Sequence, residues 1–181
     1  MKSTTFILFT LALLVATGCS VEVPNIDTVP PKFSFQIQGD RFNHTFTEED
    51  DFEAIELHLR DGYEYNFTFS GGDAGGLKHL SWQWLNGYGA SVSLNVPLEN
   101  ITDGWVARNG GYVWYTGTID DPRSGGIITG KFTPHEEYRG NTIEFSFFAR
   151  DFGGHNETEN AVDKYLQVVI ADHPTEIVPA N

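Results

Sequence analysis

The chain has 181 residues, 11 of them basic and 25 acidic, for a net charge of −14. That balance excludes a nucleic-acid binder, whose affinity rests on Lys and Arg at phosphates, and supplies no basic patch for anionic lipid. Aromatic residues make up 14%, glycine numbers 19 and cysteine one, which excludes an intrachain disulfide and, with no long helical periodicity, points to an all-β domain.

In chain order, Lys2 precedes an apolar run, FILFTLALLVA, at Phe6 to Ala16. It is shorter than the about 20 residues a membrane-spanning helix needs. A basic start, a short apolar core and the small residues Ala16, Thr17 and Gly18 have the layout of a secretory signal, cut after Gly18. Cys19 then becomes the first mature residue. The tetrapeptide ATGC resembles the bacterial lipoprotein signal, with Ala16 where that signal usually has Leu. The resemblance implies a diacylglycerol thioether on Cys19 and an acylated amine. Several acyl chains give stable anchoring, so the expected location is the bacterial cell envelope, at the outer membrane. A secreted eukaryotic protein is the competing reading, supported by four Asn-x-Thr sequons at Asn43, Asn66, Asn100 and Asn156.

Residues 19–31 contain three prolines and read as a tether that could extend about 40 Å. Alternating apolar positions then predict strands over residues 32–172. They include Phe33, Phe35 and Ile37; Ile55, Leu57 and Leu59; Tyr63, Tyr65, Phe67 and Phe69; Leu80, Trp82 and Trp84; and Val92, Leu94 and Val96. GYVWYTGTI and GGIITGKFTP read as a hairpin joined by DDPRSG, followed by Ile143, Phe145, Phe147 and Ala149, and by Leu166, Val168 and Ile170. Thr47, with Asp50 three residues on, is a candidate cap for a short helix in FTEEDDFEAIEL. Residues 173–181 read as an irregular tail. The sum is an antiparallel two-sheet sandwich of about 8–9 strands with Greek-key connections.

Two segments, YEYNFTFSGGDAGGLKHLSWQW and IEFSFFARDFGGHNETENAVDKYLQVVI, resemble bacterial immunoglobulin-like domains. The first also resembles the polycystic-kidney-disease-type repeat, although WLNGYG stands where that repeat has Gly-Asp-Gly. The resemblance implies an immunoglobulin-like sandwich with both glycine-rich loops at one end. Two-residue spacing aims Trp82 and Trp84 the same way, into the core.

The six histidines show no i, i+4 pair with an acid between, and there is no Gly-x-Ser-x-Gly, phosphate-binding loop or cysteine ligand set. The acids of Glu48 to Glu53 form a solvated run rather than a catalytic pair. A non-enzymatic role follows, without a firm cofactor. Calcium is the one candidate ion, with Asp73, Asp151, Asn156 and Glu157 as candidate ligands in loops sharing an end. The alternative is that these aspartates bond their own turns. Trp105, Tyr112 and Trp114 are candidate glycan contacts, since indole and phenol faces stack on sugar rings. In YVWYTG, one face presents either Tyr112 with Trp114 or Val113 with Tyr115. The reading is a lipid-anchored binding or structural module with an unknown protein or glycan partner. A carbohydrate-binding accessory of glycan uptake and an envelope hydrolase are the alternatives.

Overall fold

Over most of the alternating runs the backbone is extended and the apolar set faces inward; Tyr63 differs, being exposed ahead of the strand that starts at Tyr65. The computed structural model describes residues 21–85, 89–94, 104–108, 111–155 and 158–180. Cys19, Asn100, Asn156 and Glu157 lie outside them, as does Val96. Twelve strands are found among the described residues: β1 (Lys32–Gly39), β2 (Phe42–Thr47), β3 (Ile55–Arg60), β4 (Tyr65–Gly72), β5 (Leu77–Leu85), β6 (Ala90–Leu94), β7 (Trp105–Arg108), β8 (Tyr112–Thr116), β9 (Gly125–Pro134), β10 (Thr142–Asp151), β11 (Ala161–Ala171) and β12 (Glu176–Pro179).

They form two sheets, a smaller one in the order β2-β1-β4-β9-β6 and a larger one in the order β12-β3-β11-β10-β5-β8-β7. All pairings are antiparallel except β3 with β11, which is parallel. This is the all-β, immunoglobulin-like sandwich expected, with more strands than the eight or nine read from the sequence. No helix among the described residues is long and apolar enough to cross a membrane.

The core between the sheets is aromatic. Trp82 is fully buried and its ring lies 4.8 Å from Phe35, 4.7 Å from Phe67 and 4.6 Å from Trp84. Phe145 meets it edge-on at 5.2 Å. Such tilted and edge arrangements are the ones ring quadrupoles favour. Trp84 is also buried, so the shared inward direction of the two tryptophans holds.

Four local expectations differ. Strands β8 and β9 are not a hairpin: β8 pairs with β5 and β7, while β9 pairs with β4 and β6 in the other sheet. β2 went unread because its turn, Asp40-Arg41, lacks the usual Asn-Gly. Both residues adopt positive φ, 46° and 65°, as a two-residue hairpin turn requires. In the tail, Glu176 to Pro179 form β12 on β3, because Ile177 lies opposite Leu57 and packs on the core. The short helix of FTEEDDFEAIEL is a single 3-10 turn, Phe52–Ala54. Thr47 does not cap it: the residue at its N-terminus is Asp51, whose side chain makes no capping bond, and the Thr47 N to Asp50 Oδ2 bond of 2.6 Å closes a separate turn ahead of it.

The proline-rich segment is packed rather than extended. Val23 is buried, His155 N donates to Pro24 O at 3.2 Å, and Asp27 N donates to Gly153 O at 3.3 Å. Residues 21–31 thus form a strap across the loop end of the sandwich. Two glycines make room for it. A Cβ on Gly75 would lie 2.2 Å from Asp27 Oδ2, and one on Gly154, at φ +90°, would lie 2.5 Å from Asn25 O. The glycine-rich loops are therefore a docking groove for the chain's own leader.

Candidate functional site

The outer face of the larger sheet carries side chains out of phase with the core. On β8, Val113 and Tyr115 point inward and are buried, so Tyr112 and Trp114 face out. Their rings stack at 4.8 Å with 26° between planes. Register extends the surface strand by strand. Trp114 lies beside Val106 of β7 and Ser81 of β5. Ser81 lies beside Phe148 of β10, and Tyr165 of β11 pairs with Ser146. Phe148 meets Tyr165 edge-on at 5.8 Å, and Tyr165 and Val106 are 46% and 42% exposed. With strands about 4.8 Å apart, the aromatic band from β8 to β11 spans roughly 14 Å.

Polar groups punctuate the band. Ser81 is buried within it, and its Oγ has no hydrogen-bond partner among the described residues. Gln83 and His79 face the same way on β5. Burial, and then the positive charge of Arg150, hold the His79 imidazole below its usual pKa, while Glu159 pulls the other way. His79 is therefore neutral at neutral pH. At the loop side, Arg150 binds Asp163 through both nitrogens, and Lys78 Nζ lies 2.7 Å from Glu159. An outward-facing aromatic surface with polar groups among its rings and an ion network at one margin can stack on planar or ring-shaped ligand units. Trp105, by contrast, is 9% exposed and packs inward on Tyr115 at 5.8 Å and on Gly126. It belongs to the core and cannot touch a ligand. Phe148 and Tyr165 replace it on the surface. The sequence signal for both was an aromatic residue at an off-phase position of a strand.

The loop end gathers the second set. Asp73 and Asp151 do converge, and the strap adds Asp27, with one carboxylate oxygen of each within 4.8 Å of the others. Each aspartate also bonds its own turn, as the alternative reading had it. Asp73 Oδ1 accepts from Gly75 N at 2.8 Å, and Asp27 Oδ1 from Val29 N at 2.9 Å. Asp151 accepts from Gly153 N at 2.8 Å, Asn160 N at 2.7 Å and Asn160 Nδ2 at 2.7 Å. Burial, opposed by the Gly75 hydrogen bond and reinforced by the charges of Asp27 and Asp151, raises the Asp73 pKa. These oxygens could hold a calcium ion, yet the turns account for most of their bonding. Asp120 and Asp121 are exposed in a turn of their own and are not among the three clustered carboxylates.

No protein-family model and no curated protein matches the chain. Three solved structures resemble it at 11–13% identity. A DUF4466 family protein from Parabacteroides merdae covers 74% of this chain and 42% of its own, at a TM-score of 0.36. The collagen-binding subdomain of the Enterococcus faecalis surface protein ACE covers 67% and 99%, at 0.34. A larger piece of the same MSCRAMM, described as binding its ligands by the collagen hug, covers 82% and 62%, at 0.35. Likenesses this distant assign no ligand.

Proposed function

We propose that this chain is a non-catalytic binding module of the bacterial cell envelope, held there through a lipid on Cys19, with the outer face of the larger sheet as its ligand surface. The observation that supports it is the band of Tyr112, Trp114, Phe148 and Tyr165, which the core does not use. A glycan chain is the ligand class this band fits: stacking rings for sugar faces, with Gln83 and neutral His79 as hydrogen-bonding groups beside them. An envelope hydrolase would instead gather its acids and histidines in a concave pocket, whereas this face presents aromatic rings.

The test is retention on immobilised polysaccharides and on envelope proteins. Trp114→Ala and Phe148→Ala should abolish retention while leaving the melting temperature near that of the parent. Retention unchanged in the Trp114→Ala/Phe148→Ala double variant would remove the band as the ligand surface. Mass spectrometry of the mature N-terminus checks the anchor, and an unmodified Cys19 would undo it.

A further inference from the structure

His58, His173 and Glu176 meet at the edge of the larger sheet, beyond β11, the last strand of the aromatic band. Register places Glu176 of β12 directly opposite His58 of β3, on the outer face. His173 reaches the same spot from the segment between β11 and β12. That segment is fixed: Thr175 N donates to Asp40 Oδ2 at 3.0 Å, and Thr175 Oγ1 lies 2.5 Å from the hydroxyl of buried Tyr65. Ligand atoms of the three side chains lie within 4.8 Å of one another.

The hydrogen bonds decide which ring nitrogens carry protons. His58 Nε2 faces Glu56 Oε2 at 3.3 Å, and a carboxylate only accepts, so the proton of neutral His58 sits on Nε2. His173 Nδ1 faces Pro174 O at 3.1 Å, a carbonyl that only accepts, so the proton of neutral His173 sits on Nδ1. The two remaining nitrogens, His58 Nδ1 and His173 Nε2, are then bare lone pairs. They face each other at 3.4 Å. Two lone pairs at that distance repel unless a cation lies between them.

A tetrahedral zinc ion with Zn–N bonds of about 2.0–2.1 Å sets its two nitrogens about 3.3–3.4 Å apart. We propose that His58 Nδ1, His173 Nε2 and the Glu176 carboxylate bind a zinc-class divalent ion. Imidazole nitrogens select zinc, cobalt, nickel or copper over calcium and magnesium. Glu56 and Pro174 O already orient the rings through the opposite nitrogens, the outer arrangement metal-bound histidines use. The ion would clamp the edge strand β12 onto β3, which otherwise holds it through a four-residue pairing. The competing occupant is a shared proton on one imidazole.

The experiment uses the whole mature chain, free of affinity tags and stripped with chelator. Zinc should bind at one equivalent and, at a hundredfold excess over its dissociation constant, raise the melting temperature by about 5–10 °C. Cobalt(II) should give the intense visible absorption of a four-coordinate site. His173→Gln, at a half-exposed ring outside the core, should leave the fold intact and lose both signals. His155→Gln, an exposed histidine elsewhere, should keep both. Glu56→Gln should weaken zinc by about 10–100-fold. No zinc binding, or binding that survives His173→Gln, overturns the site; a proton-only pair gives the first of these results.

Discussion

Asp151→Ala separates the two readings of the acidic loop end. Asp151 is 1% exposed and accepts three hydrogen bonds, from Gly153 N, Asn160 N and Asn160 Nδ2, all at 2.7–2.8 Å. The alanine would leave the backbone amides of Gly153 and Asn160 unpaired, and would leave the Asn160 side-chain amide only its bond to Asp27 O. Each such loss costs about 1–3 kcal/mol. Relief of repulsion from Asp27 and Asp73 offsets part of this, leaving a net loss of about 3–5 kcal/mol. That is a large share of the about 5–15 kcal/mol of an ordinary domain. For a domain of this size it lowers the melting temperature by roughly 6–20 °C. Urea unfolding followed by tryptophan fluorescence, with chelator and again with millimolar calcium, measures it. A variant as stable as the parent in chelator would refute the hydrogen-bond reasoning. A calcium-dependent rise confined to the parent would show that the carboxylates hold the ion as well.

Asp73→Asn keeps the acceptor for Gly75 N and removes a charge beside two carboxylates. Because the folded pKa is raised, the protonated form's stability is fully present below the ordinary value and is lost as pH rises through the folded one. The asparagine should therefore be more stable than the parent at neutral pH, with the gain vanishing at low pH in a pH series of melts. Trp105→Ala should cost about 3–5 kcal/mol by opening the core, so any loss of ligand retention in it tracks unfolding. Tyr65→Phe removes the hydroxyl bonded to Arg60 N and Thr175 Oγ1. About 1–3 kcal/mol should be lost, and exchange of the β12 amides should quicken. Gly154→Ala forces a side chain against Asn25 O, so the strap should undock and residues 21–31 become sensitive to protease.

The parts of this protein legible in advance were those set by period two. Phe35, Trp82, Trp84 and Phe145 announced one buried face each, while the common end that brings Asp73 to Asp151 was implied by the resemblance of the two glycine-rich segments to immunoglobulin-like domains and not by spacing. Which face of YVWYTG is buried depends on sheet partners, so alternation alone left Tyr112 and Trp114 undecided against Val113 and Tyr115. Trp105 sits on a four-residue strand, too short to show a phase. Asp27 and the His58–His173 pair have no local signature. Each depends on pairing between segments far apart in the chain, through the strap in one case and through β3, β11 and β12 in the other.

The docked strap also sets a distance. In sequence, Cys19 is four residues from buried Val23 of the strap, and four extended spacings cover at most about 14 Å. A lipid on Cys19 would hold the domain at the level of the headgroups instead of lifting it on a long stalk. The carboxylate-bearing end would then face the bilayer, and the strands would stand upright upon it. The aromatic band would be turned sideways, open to a polymer running along the cell surface. Such a domain would grip what lies flat against the envelope, and the glycines that seat the strap would be what sets its posture.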